Sequence, residues 1–249
     1  MYAPLIAAVV AAQMTDAQAQ AKLAELDERQ RASGDFKALM LIEQKEKGKN
    51  DLVYQSVVYR RDADDKLLIM FLQPKSEAGK GYLRVEDNLF LYDPTVGKWE
   101  RRTERERILG TDTRRADFDE SRLSKEYEAR FVATETLGKF SVDHLELSAR
   151  DGADVAYPEL HLWIDQDSGN LLKRQDVALS GRLMRTSYYP RWRKAYSSSK
   201  GADVYFPEEV RVFDEVEKGN RTTMVVTNLD LDDLDANIFT KAWLESKSR

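Results

Sequence analysis

The chain has no cysteine among its 249 residues. That removes thiol nucleophiles, disulfides and cysteine-bound zinc in one step. It leaves the compartment open, because an oxidising space permits disulfides without demanding them. Histidine is nearly as scarce: His144 and His161 are the two present. Each lies inside a strand-like run (VDHLEL and ELHLWID) with no nucleophile motif beside it, which reads as a partly buried structural residue. No G-x-S-x-G elbow, glycine-rich phosphate loop or H-E-x-x-H occurs. The signed charge is small, -5, and the two signs are interleaved, so a nucleic-acid footprint is lacking. Taken together these absences argue against an enzyme and against a cofactor or metal.

Apolar runs long enough to span a bilayer, about 20 residues, are also missing. The nearest is Pro4 to Ala12 (PLIAAVVAA), followed by polar Gln13, Thr15 and Asp16. It reads as the hydrophobic stretch of a secretory signal, with Val10-Ala11-Ala12 at cleavage spacing but without the usual basic start. The expectation is a signal-peptide remnant over residues 1–12 and a single domain over 13–249, exported and not an integral membrane protein.

What is present is charge and strand pattern. Charged residues make up 33% and hydrophobic residues 42%, as in a globular chain with a heavily charged surface. This length buries a substantial core without disulfide or metal. Asp16 to Ser33 reads as an amphipathic helix, with Ala17, Ala21, Ala24, Leu23 and Leu26 at helical spacing and Ser33-Gly34 ending it. Short runs rich in Leu, Val, Ile, Tyr and Phe then follow at residues 37–45, 51–61, 66–73, 81–86 and 88–93. Turn-like clusters separate them, which predicts an antiparallel all-β arrangement. From Trp99 to Arg130 the pattern breaks: nine basic and nine acidic residues leave little to bury, and the segment reads as a loop with short helical pieces. Strand spacing resumes at 131–135, 139–149, 159–165, 171–179, 183–189, 207–215 and 222–231, and 238–244 closes the chain.

Several clusters invite chemistry and do not sustain it. Asp230, Asp232, Asp233 and Asp235 lack the glycine and glutamate spacing of a calcium loop, since the sixth and twelfth positions are Asp235 and Lys241. Arg185 to Lys194 (RTSYYPRWRK) mixes bases with Tyr188, Tyr189 and Trp192. Such a mixture can stack on single-stranded nucleic acid, but in an acidic chain it reads as an exposed strand end and loop, then as a surface for protein or lipid headgroups through Arg191 and Trp192. The run Lys66 to Gln73 (KLLIMFLQ) is apolar at six consecutive positions. A strand without a polar face must be covered on both sides, by a core and by either a cap helix or a ligand.

The stretch Gly81-Tyr82-Leu83-Arg84-Val85, then Leu89-Phe90-Leu91-Tyr92-Asp93-Pro94, resembles the LolA-like outer-membrane lipoprotein-sorting proteins. Gln73-Pro74 leading into Gly79-Lys80-Gly81, residues 110–123 (GTDTRRADFDESRL) and the ending Leu234 to Thr240 fall in the same order, over residues 16–249. The resemblance implies a mainly antiparallel β (α+β) fold: a twisted, unclosed barrel with helices capping its mouth. It implies a periplasmic carrier or receptor in a Gram-negative bacterium, holding lipoprotein acyl chains or lipid, with an inner-membrane ABC transporter permease or other envelope protein as partner. An acyl chain gains about 0.8 kcal/mol per buried methylene, so such a groove needs no catalytic group. By strand alternation the cavity candidates are Leu68, Met70, Leu72, Leu83, Val85, Phe90, Tyr92, Leu160, Leu162 and Met184. Relatives carry a Met-rich lid where this chain has Arg114-Arg115-Ala116 ahead of Asp117-Phe118. Arg114, Arg115 and Phe118 are therefore lid or docking candidates that could meet an anionic headgroup or acidic partner. The other reading is an RseB-like sensor or adaptor that binds a membrane protein through its charged loops and performs no chemistry.

Overall fold

The computed structural model describes residues 14–31, 34–85, 88–102, 108, 111 and 122–248. Helix α1 (Asp16–Arg31) starts on a reciprocal cap: Gln18 donates its backbone N–H to Thr15 Oγ1, while the Gln18 side chain accepts from the Thr15 N–H. Its buried face is Ala19, Leu23, Leu26 and Asp27, whereas Ala17, Ala21 and Ala24 are exposed. The alanine stripe expected to face the core is the solvent side, because the larger leucines set the docking angle. Asp27 is wholly buried and accepts from the Leu123 and Ser124 N–H groups, at 3.0 and 2.7 Å, at the start of the short helix α2 (Leu123–Glu126).

Thirteen strands form one antiparallel sheet. They are β1 (Asp35–Lys45), β2 (Leu52–Arg61), β3 (Lys66–Gln73), β4 (Gly81–Val85), β5 (Asn88–Asp93), β6 (Lys98–Arg102), β7 (Tyr127–Leu137), β8 (Phe140–Ala149), β9 (Glu159–Asp165), β10 (Leu171–Val177), β11 (Leu183–Ser197), β12 (Ala202–Asp214) and β13 (Arg221–Asp230). Their spatial order is β6-β5-β4-β3-β2-β1-β13-β12-β11-β10-β9-β8-β7. Every neighbour is a chain neighbour except one pair: β1 lies against β13, from Lys37 opposite Asp230 to Lys45 opposite Arg221. The sheet is thus two meanders joined at that seam. It stays open between β6 and β7, as the expected unclosed barrel does.

Several boundaries differ from expectation. β6 falls where a loop is expected, because its sequence, Lys-Trp-Glu-Arg-Arg, has no apolar face. An edge strand needs none, and its charges discourage further pairing. β11 runs on through the aromatic–basic patch instead of ending at Tyr189, with irregular register against β12 between Tyr188 and Trp192 absorbing the extra length. The closing segment is a 3-10 turn (Ala236–Ile238) and helix α3 (Lys241–Lys247), capped by Thr240, which accepts from the Trp243 N–H.

That C-terminal segment resolves the all-apolar strand. Leu67, Ile69 and Phe71 of β3 join the cluster with Ile42, Tyr54 and Tyr82 on one face. Leu68 and Met70 point the other way, into a cluster closed by Phe239 and Leu244. The second cover is the chain's own helix. Gly81 permits the approach: a Cβ there would sit 2.8 Å from Leu244 Cδ1 and 2.9 Å from the Ile69 carbonyl oxygen.

Gly81→Ala is expected to cost about 1–3 kcal/mol, as overpacking does, with part regained when Leu244→Ala makes room. Urea denaturation of the two variants checks this, and a neutral Gly81→Ala would show that α3 does not hold this seat. Asp27→Ala strands two backbone donors and is expected to cost about 1–3 kcal/mol, read as a lower urea midpoint. An unchanged midpoint would mean that the α1–α2 tether does not contribute to stability.

Candidate functional site

Register partners share a face, so one side of the sheet can be followed strand by strand. Leu147 faces Leu160, and Leu145 faces Leu162. Leu162 faces Arg174, then Ser187, Val212 and Thr222 follow across β11, β12 and β13. On the same face Val210 meets Met224, Met224 meets Ile42, and Ile42 meets Tyr54. Val58, Ile69, Tyr82 and Leu91 continue it to β5.

α1 covers the β7–β10 end of this face: Ala19, Leu23 and Leu26 pack on Leu145, Leu147, Leu160, Leu162 and Ile164. Lys22 pairs with Asp143 there, and Arg29 donates to Asn170 Oδ1 at 3.2 Å. The other end is a second apolar wall, Ile42, Tyr54, Val58, Leu67, Ile69, Phe71, Tyr82, Leu89, Val212 and Met224, on which Ile108 rests. Phe36, Met40, Leu91 and Val210 on this wall are half-buried. Between the two ends lies a buried ion cluster. Arg174 and Arg185 each donate to one oxygen of Asp176 at 2.6 Å. Burial opposes ionisation of Asp176, but the two guanidinium groups prevail and hold its carboxyl below the usual range. Nearby, burial pushes the Tyr127 hydroxyl up to about 12, and it donates to the Tyr157 carbonyl at 2.8 Å.

The ten cavity candidates divide between the two faces. Leu160, Leu162 and Met184 pack in the cluster under α1. Leu68, Met70, Leu83 and Tyr92 lie on the opposite face beneath the C-terminal segment, where Tyr59 and Trp243 meet edge to face at 5.4 Å. Lys241 Nζ stands 4.6 Å from the Phe90 ring centroid on that side. Leu72 and Val85 are exposed. A single hollow cannot be lined by both sets, because strand alternation sends them to opposite sides. The half-buried wall residues Phe36, Met40, Leu91 and Val210 were missed. Their signal was the other half of the same alternation. Arg191 is exposed and pairs with Glu209 at 2.8 Å. Trp192 is tied into the sheet, its indole N–H donating to the Leu171 carbonyl at 3.1 Å. Arg114, Arg115 and Phe118 lie outside the described residues.

The two histidines are not apart, as an inert pair of strand residues could be. On the face opposite α1, His144 Nε2 stands 2.9 Å from His161 Nδ1. The outer nitrogens each meet a carboxylate: His144 Nδ1 donates to Glu135 at 2.8 Å and His161 Nε2 to Glu159 at 3.0 Å. Trp163 stacks on His144 with centroids 4.2 Å apart and donates its N–H to the other Glu135 oxygen at 2.9 Å. Lys173 Nζ sits 3.7 Å from the Trp163 ring centroid. Burial pushes the His144 imidazole below its ordinary value against the pull of Glu135. Glu135 is itself held low, first by the Trp163 N–H. Among the described residues no serine, threonine or lysine amine is hydrogen-bonded to either ring. A polar cleft of about 590 Å³ beside α1, bordered by Gln20, Glu128, Arg130 and Arg150, includes neither ring. Among the described residues no group of three or more His, Cys, Asp or Glu could hold a metal ion, and no helix is long and apolar enough to cross a membrane.

No curated protein matches the chain in sequence. Among solved structures, a putative outer membrane lipoprotein-sorting protein domain from Vibrio parahaemolyticus is similar with TM-score 0.79 and 19% identity, covering 92% of this chain and 99% of that one. A LolA superfamily protein from Nitrosomonas europaea gives TM-score 0.72 and 22% identity, over 93% and 100% of the two chains. A DUF1329 family protein from Desulfovibrio piger gives TM-score 0.81 and 18% identity, again over 93% and 100%. At these identities the shared property is the fold: an open antiparallel sheet, here with helices laid on both of its faces. A family model described as "Uncharacterized protein" matches residues 63–246, from the turn after β2 into α3. With that match spanning most of the sequence, the chain belongs to the family this model describes, and its architecture is LolA-like.

Proposed function

We propose that this protein is a periplasmic carrier or receptor for acyl chains, of lipoproteins or of free lipid, acting without chemistry of its own. The observation that carries the reading is the wall formed by Ile42, Tyr54, Ile69, Phe71, Tyr82 and Met224, with Met40, Leu91, Phe36 and Val210 half-buried along it. It shares its face with α1, and α1 packs on the other end of the sheet. Ile108, in the long connection between β6 and α2, rests on this wall. That connection is the segment whose sequence stands where LolA-like relatives have a lid. An acyl chain lying along this wall gains its affinity from methylene burial alone. Methionine and aromatic side chains repack around guests of different length. Arg114 and Arg115 in the same connection suit the anionic or polar head of the guest, and Phe118 its chain. The C-terminal cluster is a different matter: Leu68, Met70 and Leu83 already have the chain's own helix as their partner. The similar structures from Vibrio and Nitrosomonas, described as a lipoprotein-sorting domain and a LolA superfamily protein, support the same reading.

Export follows from the apolar N-terminal run in this reading, and an envelope transporter is the natural donor or acceptor of the cargo. Native mass spectrometry of protein released from cells without detergent is expected to show a lipid-sized adduct. Met40→Arg and Leu91→Arg are each expected to weaken binding of a fluorescent fatty-acyl probe by about 10- to 100-fold, the worth of roughly 1.5–3 kcal/mol of apolar contact. Leu72→Arg, on an exposed position away from the wall, is expected to leave binding unchanged. Equal losses in all three variants, or adduct-free protein that ignores the probe, would refute the acyl-carrier reading.

A further inference from the structure

The Glu135–His144–His161–Glu159 chain has a proton shortage that can be counted. A carboxylate at neutral pH only accepts hydrogen bonds, so Nδ1 of His144 and Nε2 of His161, facing Glu135 and Glu159, both carry hydrogen. A neutral imidazole has one N–H, so the two inward nitrogens are bare. They face each other at 2.9 Å. Two acceptor lone pairs at that distance repel unless an electrophile joins them. A proton and a metal cation are the two electrophiles that fit between facing ring nitrogens.

We propose that His144 and His161 form a two-imidazole site for a divalent transition-metal cation of square-planar preference, Cu2+ before Zn2+. Two metal–imidazole bonds of roughly 2.0 Å at a right angle bring their nitrogens about 2.8 Å apart, whereas tetrahedral geometry opens them to about 3.3 Å. The observed 2.9 Å lies beside the first value. The outer carboxylates complete the pattern seen around metal-bound histidine: each ring donates its remote N–H to a carboxylate, which fixes the tautomer and raises the basicity of the ligating nitrogen. The protein supplies two ligands, and water fills the remaining positions. His161 keeps part of its side chain in solvent, so the pair is reachable. The charged groups around it are Glu135 from β7, Glu159 on β9, Lys173 over Trp163 from β10, and Glu146 of β8 opposite His161, already paired with Arg130. The sheet ladder fixes the two rings on adjacent strands, so the site is preorganised. It is independent of the acyl wall, which lies on the opposite face.

The test is a Cu2+ titration of the full, chelator-stripped chain at pH 7.5, followed by calorimetry and electron paramagnetic resonance. One equivalent is expected, with hyperfine structure from two imidazole nitrogens and quenching of tryptophan fluorescence through Trp163. His144→Asn and His161→Asn are each expected to weaken binding at least tenfold with unchanged circular dichroism. Glu159→Gln is expected to weaken it by about 10- to 100-fold, the usual cost of losing an outer-shell partner. Lowering the pH to 5 should weaken binding further, because protons compete for the same lone pairs. If His144→Asn fails to fold, the partly exposed His161→Asn carries the test. Absence of one-equivalent binding, survival of that binding in the His161→Asn variant, or tighter Zn2+ than Cu2+ binding would each overturn the proposal.

Discussion

The pairing of β1 with β13 is the constraint on which the rest of the architecture depends. Every other strand contact joins chain neighbours through a hairpin or short connection, and could form locally. The β1–β13 ladder alone unites the first and last strands, and it fuses two meanders into one continuous surface. Once fused, the surface has two free edges, β6 and β7. Their charged, exposed sequences keep them from meeting each other or a neighbouring molecule. Openness is therefore built into the edges.

A thirteen-stranded sheet has two faces to cover, and the protein covers each with pieces of itself. α1 lies on one face at the β7–β10 end, and the C-terminal turn and α3 lie on the other at the β2–β6 end. The two covers are staggered across opposite faces. Among the described residues, the wall from Ile42 to Leu89 has neither helix packed on it, and Ile108 rests against it. Two buried carboxylates are satisfied internally, Asp176 by two arginines and Asp27 by the start of α2. The histidine pair belongs to the reverse side of the α1-covered half and answers to different chemistry.

Strand alternation, turn clusters and the break after Trp99 were enough to read the fold class from the residues, because period-two patterning is a local property. The apolar run in β3 also announced that both its sides are covered, which holds from Leu67 to Phe71, while Leu72 at its end is exposed. What the residues alone left open was the identity of the cover. Leu68 and Leu67 look alike in sequence, yet one meets Phe239 and Leu244, some 170 positions on, and the other meets Tyr54 and Tyr82. For the same reason the candidate cavity set mixed both faces.

Composition and spacing by themselves determined a cysteine-free antiparallel protein with a leading helix, a charged interruption and strands of known approximate limits. These follow from each residue's own chemistry and its nearest neighbours. Tertiary structure alone decided which face α1 and α3 occupy, that Lys98 to Arg102 is an edge strand, and that His144 and His161 share one contact. Those outcomes depend on register between strands, and register is set by the whole sheet, since a shift of one residue turns every side chain to the other side.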